Sequence, residues 1–331
     1  MNQGFGFESY RTDLALEAMD RANRMFGAGR GVPGVESETE REDGILVTRI
    51  RIRSEEGAQA LGKPPGRYVT IEAPGLRREN RQLEDRVADR IAREFAAFFT
   101  EMGLSERAGV LVVGLGNRSV TPDALGPFVV EGVTVTRHLD AAVTAGDGRS
   151  IRPISAVAPG VLGTTGIETS EIVQGIVEKV RPVLVVAVDA LASQSLERVC
   201  TTIQMADSGI HPGSGIGNKR KGLTRDTLGV PVLAVGVPTV VYASTIVNNT
   251  LEMLIRHVGR LAPSVQAAFG ALGSMSGPER LSLVREVLEP LGQDLLVTPK
   301  DIDRFVADAA RLIADGLNAA LFGEKQPEKT V

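Results

Sequence analysis

The sequence has few of the residue types on which disulfide-bonded, zinc-binding and nucleic-acid-binding proteins depend. It has one cysteine, three histidines and no tryptophan, and aromatic residues make up 4% of the chain. A single cysteine excludes an intrachain disulfide and fits a reducing compartment such as the cytoplasm. Neither an H-E-x-x-H motif nor a paired cysteine spacing indicates a structural zinc site. With a net charge of −4 and few aromatic stacking platforms, the chain is not expected to bind nucleic acid.

The sequence also lacks long apolar runs. No run reaches about 18 residues, the length of a membrane span. The N-terminus has no basic region followed by an apolar core, so we expect neither a membrane segment nor a secretory signal. Hydrophobic residues make up 43% and charged residues 24% of the 331 residues, which is typical of a globular protein with a large core. We therefore expect a cytoplasmic protein.

Alternating apolar runs and amphipathic segments predict an α/β fold. Near-continuous Val and Ile runs separated by helices are typical of a mostly parallel sheet with helices on both faces. A small N-terminal β-containing addition and C-terminal helices are expected to extend this sheet. The predicted strands are 45–53, 68–72, 110–113, 133–136, 183–188, 200–204 and 232–235. The predicted helices are 79–102, 169–180, 243–258 and one that begins at 298–299.

The remaining segments indicate loops and the ends of the domain. Residues 12–19 form a short amphipathic piece, and residues 34–44 are interpreted as a loop. Residues 262–279 are rich in Ala, Gly and Ser, which indicates a mobile connection, and the polar residues 324–331 indicate a disordered tail. We therefore expect a single α/β domain over residues 14–323.

Two aspartates follow strands of the predicted parallel sheet. Asp123 comes after the strand at 110–113 and a glycine-containing turn, and Asp189 directly follows the strand at 183–188. Reacting groups in open α/β sheets gather at the carboxyl ends of the strands. Two carboxylates brought together there can share one proton, so that one acts as a base and the other as an acid. That pairing suits hydrolysis of a peptide bond by water, whereas each aspartate taken alone is more typical of a loop or a helix start.

The glycine-rich segments do not match the common phosphate-binding or nucleophile motifs. The segment 114–117 lacks the third glycine of G-x-G-x-x-G, because position 119 is serine. The loop at 208–221 lacks the Walker A spacing, and its Ser214 lacks the G-x-S-x-G elbow because position 212 is proline. Its glycines still allow backbone N–H groups to approach an anion or a peptide. The expected substrate-binding residues are Asn117, His211, Gly213, Ser214, Gly215, Lys219 and Arg220.

The other reactive residue types favour structural roles. Cys200 lies in an apolar run and is interpreted as a buried strand residue rather than a nucleophile. His138 and His257 are scattered along the chain. We expect no cofactor, and a metal held by carboxylates and one histidine stays open as an alternative.

Several long motifs, in order along nearly the whole chain, resemble one known family. They lie at residues 11–15, 114–117, 121–127, 156–169, 188–192, 201–204, 209–221 and 236–241. On these motifs the chain resembles the germination proteases of spore-forming bacteria, which degrade small acid-soluble spore proteins. The G-x-G-N motif and the aspartate after it, at 114–123, are also similar to the hydrogenase-maturation proteases, which act on a metal-bearing substrate.

The resemblance implies an activity, a site and a processing event. The family's two essential aspartates map onto Asp123 and Asp189, and the family is grouped as an atypical aspartic-type endopeptidase. Its members are made in the developing spore as inactive tetrameric zymogens that remove their own N-terminal propeptide. They cleave after an acidic residue and before Leu, Ile or Phe, followed by a small residue. Because Asp13 and Leu14 fit that pattern, residues 1–13 are expected to be the propeptide, and the spore core is the expected place of action.

The chain departs from the family pattern at two places. Arg118 and Ser119 stand where Trp-Asn is common, and Tyr242 stands where an aspartate is common. Neither change touches the aspartate pair, but the missing acid bears on the pH response. Two alternatives to such a protease remain: a metal-dependent α/β hydrolase of the maturation-protease type, and a non-catalytic α/β protein that binds an anion through its glycine loops.

Overall fold

The strands of the protein form one mixed sheet. A computed structural model describes residues 12–26, 31–139, 151–211, 221–258, 270, 274–288 and 295–323. The strands in this part are β1 (Val35–Glu42), β2 (Ile45–Ile52), β3 (Gly66–Glu72), β4 (Val110–Gly114), β5 (Ile154–Val157), β6 (Leu184–Ser193), β7 (Thr202–Ala206), β8 (Val232–Tyr242) and β9 (Leu296–Val297). Across the sheet their order is β1-β2-β3-β7-β8-β6-β4-β5, and β9 pairs with β8.

Helices connect and cover these strands, so the predicted α/β class is confirmed. The helices are α1 (Ala15–Phe26), α2 (Glu55–Leu61), α3 (Arg81–Glu101), α4 (Leu125–Gly132), α5 (Leu162–Thr165), α6 (Thr169–Val180), α7 (Arg225–Leu228), α8 (Ala243–Val258), α9 (Gly277–Leu288) and α10 (Ile302–Phe322). Short 3₁₀ turns occur at Pro74–Arg77 and Thr121–Asp123. No helix in the described part of the chain is long and apolar enough to cross a membrane.

The parallel part of the sheet consists of β5, β4, β6 and β8. All five residues of β4 are buried, as expected for a strand that is covered on both faces. Strands β1, β2, β3 and β7 pair antiparallel, and the first three of them are the predicted N-terminal β-containing addition. Because parallel strands end at one edge of a sheet, the residues that follow β4 and those that end β6 come close together.

The two faces of the parallel strands are buried by different helices. Val112 of β4 packs in one apolar cluster with Phe95 of α3 and Leu317 of α10. Its neighbour Leu111 packs in a second cluster with Val173 of α6. Successive side chains of a strand point to opposite faces, so each strand binds both helical layers. This double cover holds the carboxyl edge of the parallel strands in place.

The long helix α3 begins and ends close to its predicted limits. The Asn80 side-chain oxygen accepts a hydrogen bond from the Leu83 backbone N–H at 3.1 Å, which caps the first turn. Gly103 follows the helix in the left-handed conformation, with φ of 67°. The prediction of a left-handed glycine cap at this position is therefore confirmed.

The interpretation of residues 34–44 as a loop is wrong, because Val35–Glu42 forms the edge strand β1. Seven of its eight side chains are exposed, so no apolar alternation marks the strand. Its acidic residues instead pair with the neighbouring strand, as in the ion pairs from Arg49 of β2 to Glu38 at 3.2 Å and to Glu40 at 3.1 Å. Charged side chains on an edge strand also oppose pairing with another chain.

The predicted strand at 133–136 is also wrong, since these residues form no regular strand. Val133 packs in the core and Val135 is exposed, while the Thr134 N–H donates to the Asn318 side-chain oxygen of α10 at 3.0 Å. The strand beside β4 is instead Ile154–Val157, whose four residues are too few to stand out in the sequence.

Other predicted boundaries also differ from the structure. Strands β6 and β8 continue to Ser193 and Tyr242, beyond their predicted ends at 188 and 235. Strand β7 begins at Thr202, because Cys200 adopts a left-handed backbone conformation with φ of 60° in a turn. Helix α10 begins at Ile302, and the Thr298 hydroxyl donates to the Thr239 carbonyl at 2.9 Å rather than capping a helix. Helix α9 covers the last three residues of the predicted mobile connection at 262–279. Most of that connection, and the predicted tail at 324–331, lie outside the described residues.

Candidate active site

Asp189 lies on β6, in a row of residues that crosses three strands. Its register partner is Gly236 of β8, and the partner of Gly236 on the other side is Gln204 of β7. Register partners point to the same face, so Asp189 and Gln204 face the same side about 10 Å, or two strand spacings, apart. Asp189 is 7% exposed, and its Oδ1 accepts the Ala190 N–H at 2.9 Å. The carboxylate is thus fixed by its own strand.

Asp123 lies in the 3₁₀ turn that follows β4. Its Oδ2 accepts the Asn117 backbone N–H at 2.7 Å, and its own N–H donates to the Val120 carbonyl at 2.8 Å. Gly116 makes this turn possible: its φ is +109°, and a Cβ at this position would collide with the Asp123 carbonyl oxygen. Gly116 therefore allows the close approach of Asp123 to the chain, whereas Gly114, the last residue of β4, allows the close approach of Gly126.

The two aspartates line one cleft with a volume of about 420 Å³. The Leu115 N–H donates to the Val188 carbonyl at 2.7 Å, which ties the end of β4 to the residue before Asp189. Asp189 lies within β6, which continues to Ser193, and not just after a strand as predicted. Asp123 follows the end of β4, whose last residue, Gly114, pairs with Val188. Residues from β3, β7 and β8 complete the lining of the cleft.

The predicted cleavage position lies in the same cleft. The Asp13 N–H donates to the Ala192 carbonyl at 3.2 Å, and the Ala192 N–H donates to Asp13 Oδ2 at 2.9 Å. Leu14, the residue after the predicted cut, is fully buried, and α1 begins one residue later. Of the predicted propeptide, residues 1–11 lie outside the described part of the chain. The segment that resembles a substrate is thus bound along β6, the strand that carries Asp189.

Two side chains that the sequence analysis did not assign to the site hold the Asp13 carbonyl oxygen. Lys63 Nζ donates to it at 3.0 Å, and Gln204 Nε2 donates at 2.9 Å. Lys63 Nζ also donates to the Thr12 carbonyl at 3.0 Å, and Gln204 Oε1 accepts the Ala15 N–H at 2.5 Å. Gln204 occurs in one of the family-like motifs and Lys63 in a Gly/Pro-rich loop, but neither pattern indicates a contact with Asp13.

Burial changes the pKa of the groups beside this segment. Desolvation lowers the pKa of the Lys63 ammonium, and the nearby Asp13 carboxylate opposes that shift. Desolvation also raises the pKa of Tyr68 to about 12, so its phenol stays protonated and donates to the Pro64 carbonyl at 2.7 Å. The hydroxyl thus fixes the loop that carries Lys63.

The structure places the other predicted substrate-binding residues as follows. Asn117 acts through its backbone N–H on Asp123, and its side-chain oxygen accepts the Ser119 N–H at 3.0 Å, so its amide group orders its own turn. His211 is exposed and lines the cleft. The remaining predictions lie outside the described residues: Gly213, Ser214, Gly215, Lys219 and Arg220.

Cys200 is buried, as predicted, but in a turn rather than in a strand. Burial raises the pKa of its thiol to about 12, with the Arg77 guanidinium opposing the shift. At neutral pH the group is therefore a thiol and not the nucleophilic thiolate. It does not line the cleft among the residues that the structure describes.

The two departures from the family pattern have structural contacts of their own. Arg118 forms an ion pair with Glu131, and its guanidinium lies 5.0 Å from the centre of the Phe128 ring. Tyr242 is buried at the end of β8, where it pairs with Leu296 of β9. Within the described ranges, no cluster of three or more His, Cys, Asp and Glu side chains has the arrangement of a metal site.

Comparisons with known proteins agree with the family-like motifs in the sequence. The family model described as germination protease matches residues 15–265 and 261–330. The germination protease of Bacillus cereus (strain B4264) is 44% identical, over 97% of this chain and 96% of its own. Those of Bacillus thuringiensis subsp. konkukian (strain 97-27) and Bacillus mycoides (strain KBAB4) are 43% and 44% identical over the same shares. The chain therefore belongs to the germination protease family.

Proposed function

We propose that this protein is an endopeptidase of the atypical aspartic type that uses Asp123 and Asp189 and first cleaves its own chain between Asp13 and Leu14. One observation carries the proposal: the segment around Asp13 is hydrogen-bonded in the cleft that both aspartates line. A relative's name, germination protease, supports a role in spore germination. The proposed substrates are small acid-soluble spore proteins in the spore core, and the chain as made is the zymogen.

The proposed reaction needs one water and one shared proton. One carboxylate takes a proton from the water, whose oxygen bonds to the scissile carbonyl carbon while the carbonyl electron pair moves onto its oxygen. The other carboxyl group, which carries a proton, gives it to the leaving nitrogen as the C–N bond breaks. The carboxylate that accepted the water proton ends protonated and the other ends ionised, so a proton exchange through solvent restores the pair.

The proposed preference for an acidic residue before the cut rests on the contacts of Asp13. Its carboxylate accepts the backbone N–H of Ala192, a donor that suits an acid better than a neutral side chain. An acidic residue of a protein substrate would occupy the same place once residues 1–13 have left. Lys219 and Arg220, which follow the glycine-rich loop, remain proposed as additional positive charges for that residue.

A measurement of intact mass tests the proposed cleavage. Incubation of the purified protein near pH 5 should remove residues 1–13 and leave a chain that begins at Leu14, and a chelator should not slow this. Cleavage that stops with a chelator would favour the metal-dependent hydrolase. No shortening, together with no cleavage of spore-protein peptides by a chain made to begin at Leu14, would favour the non-catalytic anion-binding protein and contradict the proposal.

We also propose that the protein forms a homotetramer. Large apolar side chains are exposed on α8 and α9, which pack together, and on β9, which lies beside the start of α8. They are Val247, Met253, Leu254, Leu283, Val287, Leu296 and Val297. Because exposed apolar patches of this kind mark association surfaces, light scattering should give four times the chain mass. Replacing Met253 and Val287 with lysine should lower that mass, and a monomeric parent protein would contradict the proposal.

A further inference from the structure

We propose that Lys63 and Gln204 form the oxyanion-binding pair of this protease, which holds the scissile carbonyl oxygen of Asp13 and of each later substrate. This inference rests on the proposed function and assigns two residues to it. Both side chains donate to the same carbonyl oxygen, Lys63 Nζ at 3.0 Å and Gln204 Nε2 at 2.9 Å. Both distances are those of ordinary N–H···O hydrogen bonds to the carbonyl oxygen, the atom on which negative charge develops during hydrolysis.

The charges around the cleft favour this role for Lys63. The carboxylates of Asp13, Asp123 and Asp189 line the cleft, and among its described lining residues Lys63 is the only lysine or arginine. As water attacks, the carbonyl oxygen gains a full negative charge. An ammonium group 3.0 Å from that oxygen stabilises the charged intermediate more than the neutral peptide, because the site is partly shielded from water.

The second donor is fixed by the sheet. Gln204 is buried on β7, and its Oε1 accepts the Ala15 N–H, so its Nε2 is turned towards the Asp13 carbonyl. Asp13 is also bound to Ala192 of β6, the strand that carries Asp189. A peptide held in this way spans β7 and β6. The amide donor of Gln204 lies on β7, and the proposed catalytic carboxylate of Asp189 lies on β6.

The loop that carries Lys63 is also fixed. Gly62 takes the left-handed conformation with φ of 64° at the end of α2, and its N–H donates to the Ala58 carbonyl. Tyr68 of β3 binds the Pro64 carbonyl at 2.7 Å on the other side of Lys63. The backbone on both sides of Lys63 is therefore fixed, which limits the positions that its ammonium group can take.

The test uses chains made to begin at Leu14, acting on a separate peptide that contains an Asp–Leu bond. Lys63→Met keeps the length of the side chain and removes its charge. Gln204→Glu keeps the acceptor for Ala15 and removes the amide donor. We expect each change to lower kcat about 100-fold, the effect of losing one such donor, with a smaller change in KM. Lys63→Arg should restore part of kcat, and Lys179→Met, on the exposed side of α6, should leave kcat unchanged.

The separate peptide distinguishes catalysis from a role in holding the N-terminal segment. If Lys63 and Gln204 only anchor Thr12 and Asp13, the variants that begin at Leu14 will cleave the peptide with the kcat of the parent, and this inference is overturned. If the parent itself cleaves nothing, the proposed function fails and this inference with it. Thermal unfolding midpoints within a few degrees of the parent will show that the variants fold. If Lys63→Met does not fold, the kcat of Lys63→Arg is compared with that of the parent instead, and an unchanged kcat overturns the role of Lys63.

Discussion

Asp189→Asn and Asp123→Asn should each abolish loss of the N-terminal residues on the time scale of the parent reaction. Asparagine keeps the size of the side chain and an oxygen that can accept the Ala190 or the Asn117 N–H, so the fold should persist. It neither takes a proton from water nor gives one to the leaving nitrogen at neutral pH. General acid–base catalysis contributes about 10²- to 10⁴-fold, and we expect a loss in this range for each variant.

The double variant shows whether the two carboxylates act as one unit or independently of each other. If the two carboxylates act as a unit, the double variant should be no slower than the slower single variant. Asp85→Asn, on the exposed side of α3, removes a carboxylate outside the cleft and should process like the parent. Intact mass measured over time compares the parent with these four variants. Equal loss of residues 1–13 in every one of them would assign the cleavage to a contaminating protease or to another nucleophile.

Gly116→Ala should disable the site without altering either aspartate. The new methyl group would collide with the Asp123 carbonyl oxygen, so the turn that carries Asp123 must move. A displacement of about 1 Å at a catalytic group can cost about 10²-fold in rate. The positive φ of Gly116 adds strain of about 1–3 kcal/mol to the folded state. We expect a lower unfolding midpoint together with a loss of processing of about 100-fold.

Gly103→Ala is the matched control for backbone strain. Gly103 also has positive φ, at +67°, but a Cβ there meets no atom within 4 Å. Its replacement should lower the unfolding midpoint and leave the rate of processing unchanged. If Gly116→Ala processes as fast as Gly103→Ala, the close approach of residue 116 to Asp123 is not what positions that carboxylate.

The sequence predicts the parallel strands β4, β6 and β8 because they are buried on both faces, whereas the four-residue, half-buried β5 is missed. Continuous apolar runs such as the one before Asp189 leave little choice of structure, and the topology brings Asp123 to the same cleft. The edge strand β1 is not predicted because its side chains are exposed and show no apolar alternation. Cross-strand ion pairs, and not burial, stabilise it in the sheet. Residues 133–136 are mistaken for a strand because Val and Thr alternate there, and β-branched residues are typical of strands.

The contacts of Lys63 and Gln204 could not be predicted from local pattern. Lys63 binds a residue 50 positions earlier in the chain, and Gln204 binds the same residue 191 positions earlier. Neither spacing has a helical or strand period, and a lysine in a Gly/Pro-rich loop is ordinarily exposed. Only the path of the chain through the sheet brings these two donors to one oxygen. The family resemblance indicates the position of the proposed cleavage, and the fold shows which side chains surround it.

The attachment of Asp13 to Ala192 has a consequence for reaction order. The bond that we propose is cut belongs to the chain that would cut it, and it already lies in that chain's own cleft. If it is cut where it lies, encounter between molecules plays no part, and the half-time of processing is independent of protein concentration. A chain that lacks the Asp123 and Asp189 carboxylates would then stay intact when mixed with active chains, since each active molecule cleaves its own N-terminal segment. Such a zymogen needs no activating partner, only the conditions under which its own pair of aspartates can act.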